Sequence, residues 1–235
     1  MTDASAFTPP PFNPPARRLK AVAFDLDGLM VNSEDVYARV GTETLARRGK
    51  AFDTELREAM MGRPAADALR VMIDWHQLDD TVEELSREGV ELFWHFAEEL
   101  LRPMPGLAEL LAWLDEARVP YGVATSGTRD YAERILRSID AFDGLRFLIT
   151  AEDVANGKPA PDPYLLAAER HAVEPAEMLV LEDSGTGCKS AVAAGAYTVA
   201  APNDHTRDHT FPPVAFRAES LADPRIRQVL APEAA

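Results

Sequence analysis

Asp25 and Asp27 stand one residue apart at the end of an apolar run, Ala21-Val22-Ala23-Phe24, and Gly28 follows them. An apolar run of this length without alternation predicts a strand buried on both faces. Side chains two apart on a strand leave by the same face, so the two carboxylates point to one side. Like charges so close repel unless something offsets them. A cation held by carboxylate oxygens does so, and Mg²⁺ is the common solution. The pair also suits chemistry, with one carboxylate attacking as a nucleophile while its neighbour moves a proton. A strand running into an Asp-Gly turn is the plainer reading of the same residues.

The elements around this pair decide between those readings. From residue 33 to about 102 the pattern is helical, with breaks at Met61-Gly62-Arg63-Pro64 and no convincing strand. Ser33, Glu34 and Asp35 suit the start of the first helix, where acids meet the positive helix end. Arg102-Pro103-Met104-Pro105-Gly106 then punctuates the chain. Beyond it the rhythm alternates. Helices are predicted at 107–117, 129–138, 161–171 and 185–194, and strands at 120–124, 147–150, 178–181 and 197–200. Strands alternating with helices imply a parallel sheet covered on both faces. The expected fold is α/β, a doubly wound parallel sheet with a small helical domain inserted after the first strand. Its expected parts are a proline-rich, disordered leader at 1–18, a core at 19–32 and 105–235, and an inserted helical domain at 33–104.

In such a sheet the ligand sits beyond the carboxyl ends of the strands. Four polar clusters fall there. Asp25 and Asp27 follow the first strand, Thr125-Ser126-Gly127 the second, Lys158 lies in the loop after the third, and Glu182-Asp183 follow the fourth. Alone, each has a dull explanation as a cap or a solvated loop residue. Together, carboxylates, a lysine and a hydroxyl suit a phosphate ester held by Mg²⁺.

Composition narrows the partners. The 235 residues carry a net charge of −15, which disfavours binding to nucleic acid or to an anionic membrane by bulk attraction. No apolar run approaches the roughly 18 residues that a membrane span needs. Cys188 is the only cysteine, so no intramolecular disulfide can form, which suits a reducing, cytoplasmic setting. Cys188 reads as a small packing residue. The five histidines show no metal-ligand spacing with cysteine, so zinc is not expected. A monomer is the default expectation.

The four clusters, in this order over residues 20–203, resemble the haloacid dehalogenase superfamily, in the branch of β-phosphoglucomutase and small sugar phosphatases. Asp25-Leu26-Asp27-Gly28 matches its first motif, Thr125 ends the second, Lys158 within Gly-Lys-Pro-Ala-Pro-Asp is the third, and Glu182-Asp183 the fourth. The helical insert matches the family's small cap domain. The resemblance implies a Rossmann-like core and a Mg²⁺-dependent phosphoryl transfer. Asp25 would attack phosphorus, and Asp27 would first protonate the leaving oxygen, then deprotonate water. Asp25, the Asp27 backbone carbonyl and Asp183 would hold Mg²⁺, with Glu182 a possible further ligand. Thr125, Ser126, Gly127 and Lys158 would bind the transferring group. An acid at position 27 favours phosphate esters over dehalogenation.

The same resemblance separates phosphatase from mutase. Where mutases carry a cap-helix histidine this chain has Tyr37, and where they carry a phosphate-binding arginine it has Ala65, with Arg63 beside Gly62 instead. Arg63 is kept as a candidate anion-binding residue. The expected function is therefore hydrolysis of small phosphorylated metabolites, sugar phosphates above all. A phosphosugar mutase and a non-catalytic binding protein on the same fold are the alternatives.

Overall fold

In a computed structural model of the chain, residues 14–60 and 65–230 are described. The chain divides into two compact units, one taking it up to Met30 and from Pro103 onward, the other Val31–Arg102. Residues 1–13 of the expected leader, and Arg63 with its neighbours at 61–64, lie outside the described residues.

The first unit is built on a parallel sheet. Its strands are β1 (Ala21–Phe24), β2 (Tyr121–Ala124), β3 (Leu148–Ile149), β4 (Met178–Glu182), β5 (Tyr197–Ala200) and β6 (Phe216–Arg217), in the order β3-β2-β1-β4-β5-β6. Every residue of β1, β2 and β4 is buried, which accounts for the absence of polar alternation in them up to Glu182, the last residue of β4. In register, Phe24 lies beside Val123 of β2 and Leu181 of β4. The strand ends therefore come level. The strand order reverses direction between β1 and β4, and such a switch is where doubly wound sheets open a crevice.

Helices α5 (Leu107–Ala117), α6 (Arg129–Ser138), α7 (Asp162–His171), α8 (Gly185–Ala193) and α9 (Pro224–Leu230) belong to this unit. Helix α7 packs on β1, β2 and β3, and α8 on β4 and β5. Ala23, Ala124, Ile149, Tyr164, Val180 and Ala191 form the core between sheet and helices. The sequence pattern did not reveal β6 and α9. A two-residue strand has no period to detect, and α9 offers only two turns.

The second unit is helical: α1 (Ser33–Ala46), α2 (Thr54–Met60), α3 (Ala65–His76) and α4 (Val82–Leu100). Leu45, Leu56, Met72 and Leu85 form its core. Thr81 starts α4 with a reciprocal cap, its hydroxyl accepting from the Glu84 N–H while the Glu84 carboxylate accepts from the Thr81 N–H. Arg48 binds Asp80 and Glu88 at 2.6 and 2.7 Å and ties α1 to the start of α4. Tyr37 is exposed on α1, its ring 4.7 Å from that of Phe93. Trp75, in the last turn of α3, is also exposed. No helix among the described residues is long and apolar enough to cross a membrane.

Candidate active site

The ends of β1 and β2 deliver Asp25 and Thr125 by backbone hydrogen bonds to the neighbouring strands. The Asp25 N–H donates to Leu181 O at 3.0 Å, and the Thr125 N–H to Ile149 O at 2.9 Å. These bonds carry the sheet one residue past its regular strands and fix where both side chains emerge. Gly28 then turns the chain at a φ of 79°, a conformation that costs glycine little.

Asp25, Thr125, Glu182 and Asp183 are all buried, and the Lys158 side chain is only 6% exposed. The Lys158 ammonium donates to Asp25 Oδ1 and, at 2.7 Å, to Glu182 Oε1. One loop lysine thus joins the ends of β1 and β4. Glu182 is held on every side. Its Oε1 also accepts from the Tyr164 phenol at 2.8 Å, and its Oε2 accepts the Ser184 N–H and hydroxyl at 3.2 and 3.1 Å. Gly187 leaves room for this carboxylate, since a Cβ there would lie 1.7 Å from Glu182 Oε1. Asp183 Oδ2 accepts from the Asn203 amide at 3.2 Å, and the same amide donates to Gly28 O at 2.9 Å.

Asp27 is held by a second set of groups. Tyr131, on α6, donates its phenol proton to Asp27 Oδ1 at 2.5 Å. The Thr125 hydroxyl lies 3.4 Å from Asp27 Oδ2 and accepts the Gly127 N–H at 3.0 Å. Ser126 is exposed at this turn.

The electrostatics follow from burial. Desolvation lifts the Asp25 carboxyl well above the usual carboxylate range, Lys158 opposes this, and the charges of Glu182 and Asp27 add to the rise. Burial works against the Lys158 ammonium, but Asp25 and Glu182 outweigh it and hold it charged. Burial, reinforced by Glu182, keeps Tyr164 a neutral phenol and therefore a donor. Burial likewise raises the Cys188 thiol, which is wholly enclosed and is a packing residue rather than a nucleophile.

This donor set fits a hard divalent cation. One oxygen from each of Asp25, Glu182 and Asp183 lies within 4.8 Å of the others. All the donors are oxygens, and three buried carboxylates face a single ammonium, so negative charge is in surplus. Glu182 could join such an ion only by sharing oxygens already engaged by Lys158, Tyr164 and Ser184.

The arrangement gathers Asp25, Asp27, Thr125, Lys158, Glu182 and Asp183 at one sheet edge. It adds three residues that the sequence reading missed. Asn203 follows β5, so the strand-end rule could have found it. Tyr131 and Tyr164 carry no such signal, because an aromatic residue on a helix reads as packing.

The family model for haloacid dehalogenase-like hydrolases matches residues 22–201, a span that holds all of the charged residues above. The chain belongs to this family. Among its relatives, validoxylamine A 7'-phosphate phosphatase of Streptomyces hygroscopicus subsp. limoneus is 35% identical over 195 residues, 79% of this chain and 87% of that protein. Hexitol phosphatase A of Escherichia coli strain K12 is 34% identical over 193 residues, 81% of this chain and 87% of that protein. Among solved structures, CbbY from Rhodobacter sphaeroides in complex with phosphate matches with a TM-score of 0.75 and 26% identity, covering 87% of this chain and 96% of that one. In this haloacid dehalogenase-like hydrolase, then, the matched region contains both strand-end aspartates and their lysine.

Proposed function

We propose that the chain is a Mg²⁺-dependent phosphatase of small phosphorylated metabolites, chiefly sugar phosphates, and that it works through an aspartyl-phosphate on Asp25. The observation that carries this reading is the Lys158 ammonium bridging Asp25 and Glu182, beside Asp27, whose carboxyl accepts the Tyr131 phenol. The phosphatases among the relatives support the same chemistry.

In this account an Asp25 oxygen attacks phosphorus and the ester P–O bond breaks. Asp27 gives its proton to the departing oxygen. Asp27 then takes a proton from the water that attacks the aspartyl-phosphate, which frees phosphate and restores Asp25. Lys158 neutralises charge on both the nucleophile and the transferring group. The Thr125 hydroxyl and the turn through Ser126 and Gly127 bind phosphoryl oxygens. Asp25, the Asp27 carbonyl and Asp183 would hold Mg²⁺, with Glu182 as a further candidate ligand. The bound ion would supply positive charge against the phosphoryl oxygens. The single, buried cysteine supports a reducing, cytoplasmic setting.

The test is phosphate release from a panel of sugar, polyol and nucleoside phosphates, with Mg²⁺ and after chelation, beside Asp25→Asn. Release that needs both Mg²⁺ and Asp25 supports the reading. Isomer formation without phosphate release would replace it with a mutase. The absence of any turnover would favour a binding protein.

A further inference from the structure

Asp27 is approached by two hydroxyl donors, and they are unequal. Tyr131 reaches Oδ1 at 2.5 Å, at the short end of the O–H···O range. Thr125 stands 3.4 Å from Oδ2, beyond the usual O–H···O range. The orientation of this carboxylate therefore rests on Tyr131. The turn before α6 makes room for the phenol ring. A Cβ at residue 127 would come within 3.0 Å of Tyr131 Cδ1, and glycine there avoids the contact.

We propose that Tyr131 is a positioning residue that fixes the Asp27 carboxyl for proton delivery to the leaving group. The proposal rests on the phosphatase reading above. By occupying Oδ1, the phenol leaves Oδ2 as the oxygen that carries the transferred proton. In the first half-reaction the Asp25–phosphorus bond forms and the ester P–O bond breaks. The proton on Asp27 Oδ2 passes to the departing alkoxide, while Tyr131 keeps its own proton throughout. Without the phenol, the carboxyl can rotate, and the proton is aligned only part of the time.

The leaving group reveals this role. An alkoxide needs the proton as it departs, whereas p-nitrophenolate leaves without it. Tyr131→Phe removes one oxygen and keeps the ring, so the packing beside Gly127 survives. The experiment compares kcat/KM of the parent and Tyr131→Phe on glucose 6-phosphate and glycerol 3-phosphate with that on p-nitrophenyl phosphate, in saturating Mg²⁺. This ratio reports the step that forms the aspartyl-phosphate. The expected result is a loss on the order of tenfold to a hundredfold on the alkyl esters, the weight of a hydrogen bond to a carboxyl that becomes charged as it gives up its proton. On the aryl ester the loss should stay within about twofold, because no protonated leaving oxygen is required. The alkyl loss should appear in kcat rather than KM. Equal losses on both ester classes, no loss on either, or a loss confined to KM would each overturn the role of Tyr131 while leaving the phosphatase standing. A parent enzyme that releases phosphate from none of the three esters would overturn the phosphatase reading and this role with it.

Discussion

Gly187→Ala should damage this protein although it puts a better helix former into a helix. Gly187 lies in the first turn of α8, where alanine would ordinarily add about 1 kcal/mol of stability. Here the new Cβ would lie 1.7 Å from Glu182 Oε1, 2.0 Å from Cδ and 2.2 Å from Oε2. A flexible carboxylate could swing away at small cost, but this one has no exposed surface and four hydrogen bonds. Moving it breaks at least the bonds from Lys158 and Tyr164. Hydrogen bonds to a charged group are worth about 1.5–3 kcal/mol each, so the loss is roughly 3–6 kcal/mol. Less the helix gain, the net cost is roughly 2–5 kcal/mol, a fall in Tm of roughly 4–20 °C for a chain of this length. Urea and thermal denaturation measure it. Activity should fall too, since Lys158 loses one of its two carboxylate partners. The decisive arm is the double variant. In a Glu182→Ala background the Cβ meets an empty space, and the penalty of Gly187→Ala should vanish. An equal penalty in both backgrounds, or a stabilised single variant, would show that the Glu182 carboxylate is not what the added methyl group strikes.

Other consequences follow from neighbouring groups. His171 is buried beneath β1, with Nε2 bonded to Val22 O at 3.0 Å and Nδ1 without a partner, and burial lowers its pKa to about 4. Its folded pKa lies below its unfolded one, so the unfolded chain takes up the proton first and stability is lost as pH falls from 6.5 towards 4. Between pH 7 and 5 this removes about 2 kcal/mol, and urea midpoints should lose that much pH dependence in His171→Gln; an unchanged slope would show that the ring does not titrate this way. Asn203→Ala frees Asp183 from the amide that holds it. The Mg²⁺ concentration for half-maximal activity should then rise about tenfold or more, as when a group that orients a metal ligand is lost, and an unmoved titration would remove Asn203 from that part.

Much of the fold was readable because buried parallel strands leave unbroken apolar runs, as at Ala21–Phe24 and Met178–Leu181. The candidate site was readable for the same reason, since its charged residues directly follow those runs. Lys158 was harder to place, because β3 spans only Leu148–Ile149 and the lysine lies well beyond it. The groups that hold the charged residues were hidden. Tyr131 comes to Asp27 across 104 residues of chain, and only the packing of α6 beside the sheet makes them neighbours. Tyr164 donates to Glu182 from inside the hydrophobic core, where its phenol is indistinguishable in sequence from any buried aromatic. The need for glycine at 187 is likewise a property of a carboxylate five residues earlier, not of the helix that contains it.

The central claim is a covalent phosphoryl group on Asp25, and trapping it is the most direct measurement. The enzyme is mixed with a slowly turned-over phosphate ester and Mg²⁺, quenched in acid within one turnover, digested and mapped by mass spectrometry. A hydroxylamine-sensitive phosphoryl group is expected on the peptide holding Asp25, absent in Asp25→Asn. Burst release of the alcohol with no phosphoryl group on that peptide, or one on a different residue, would contradict it.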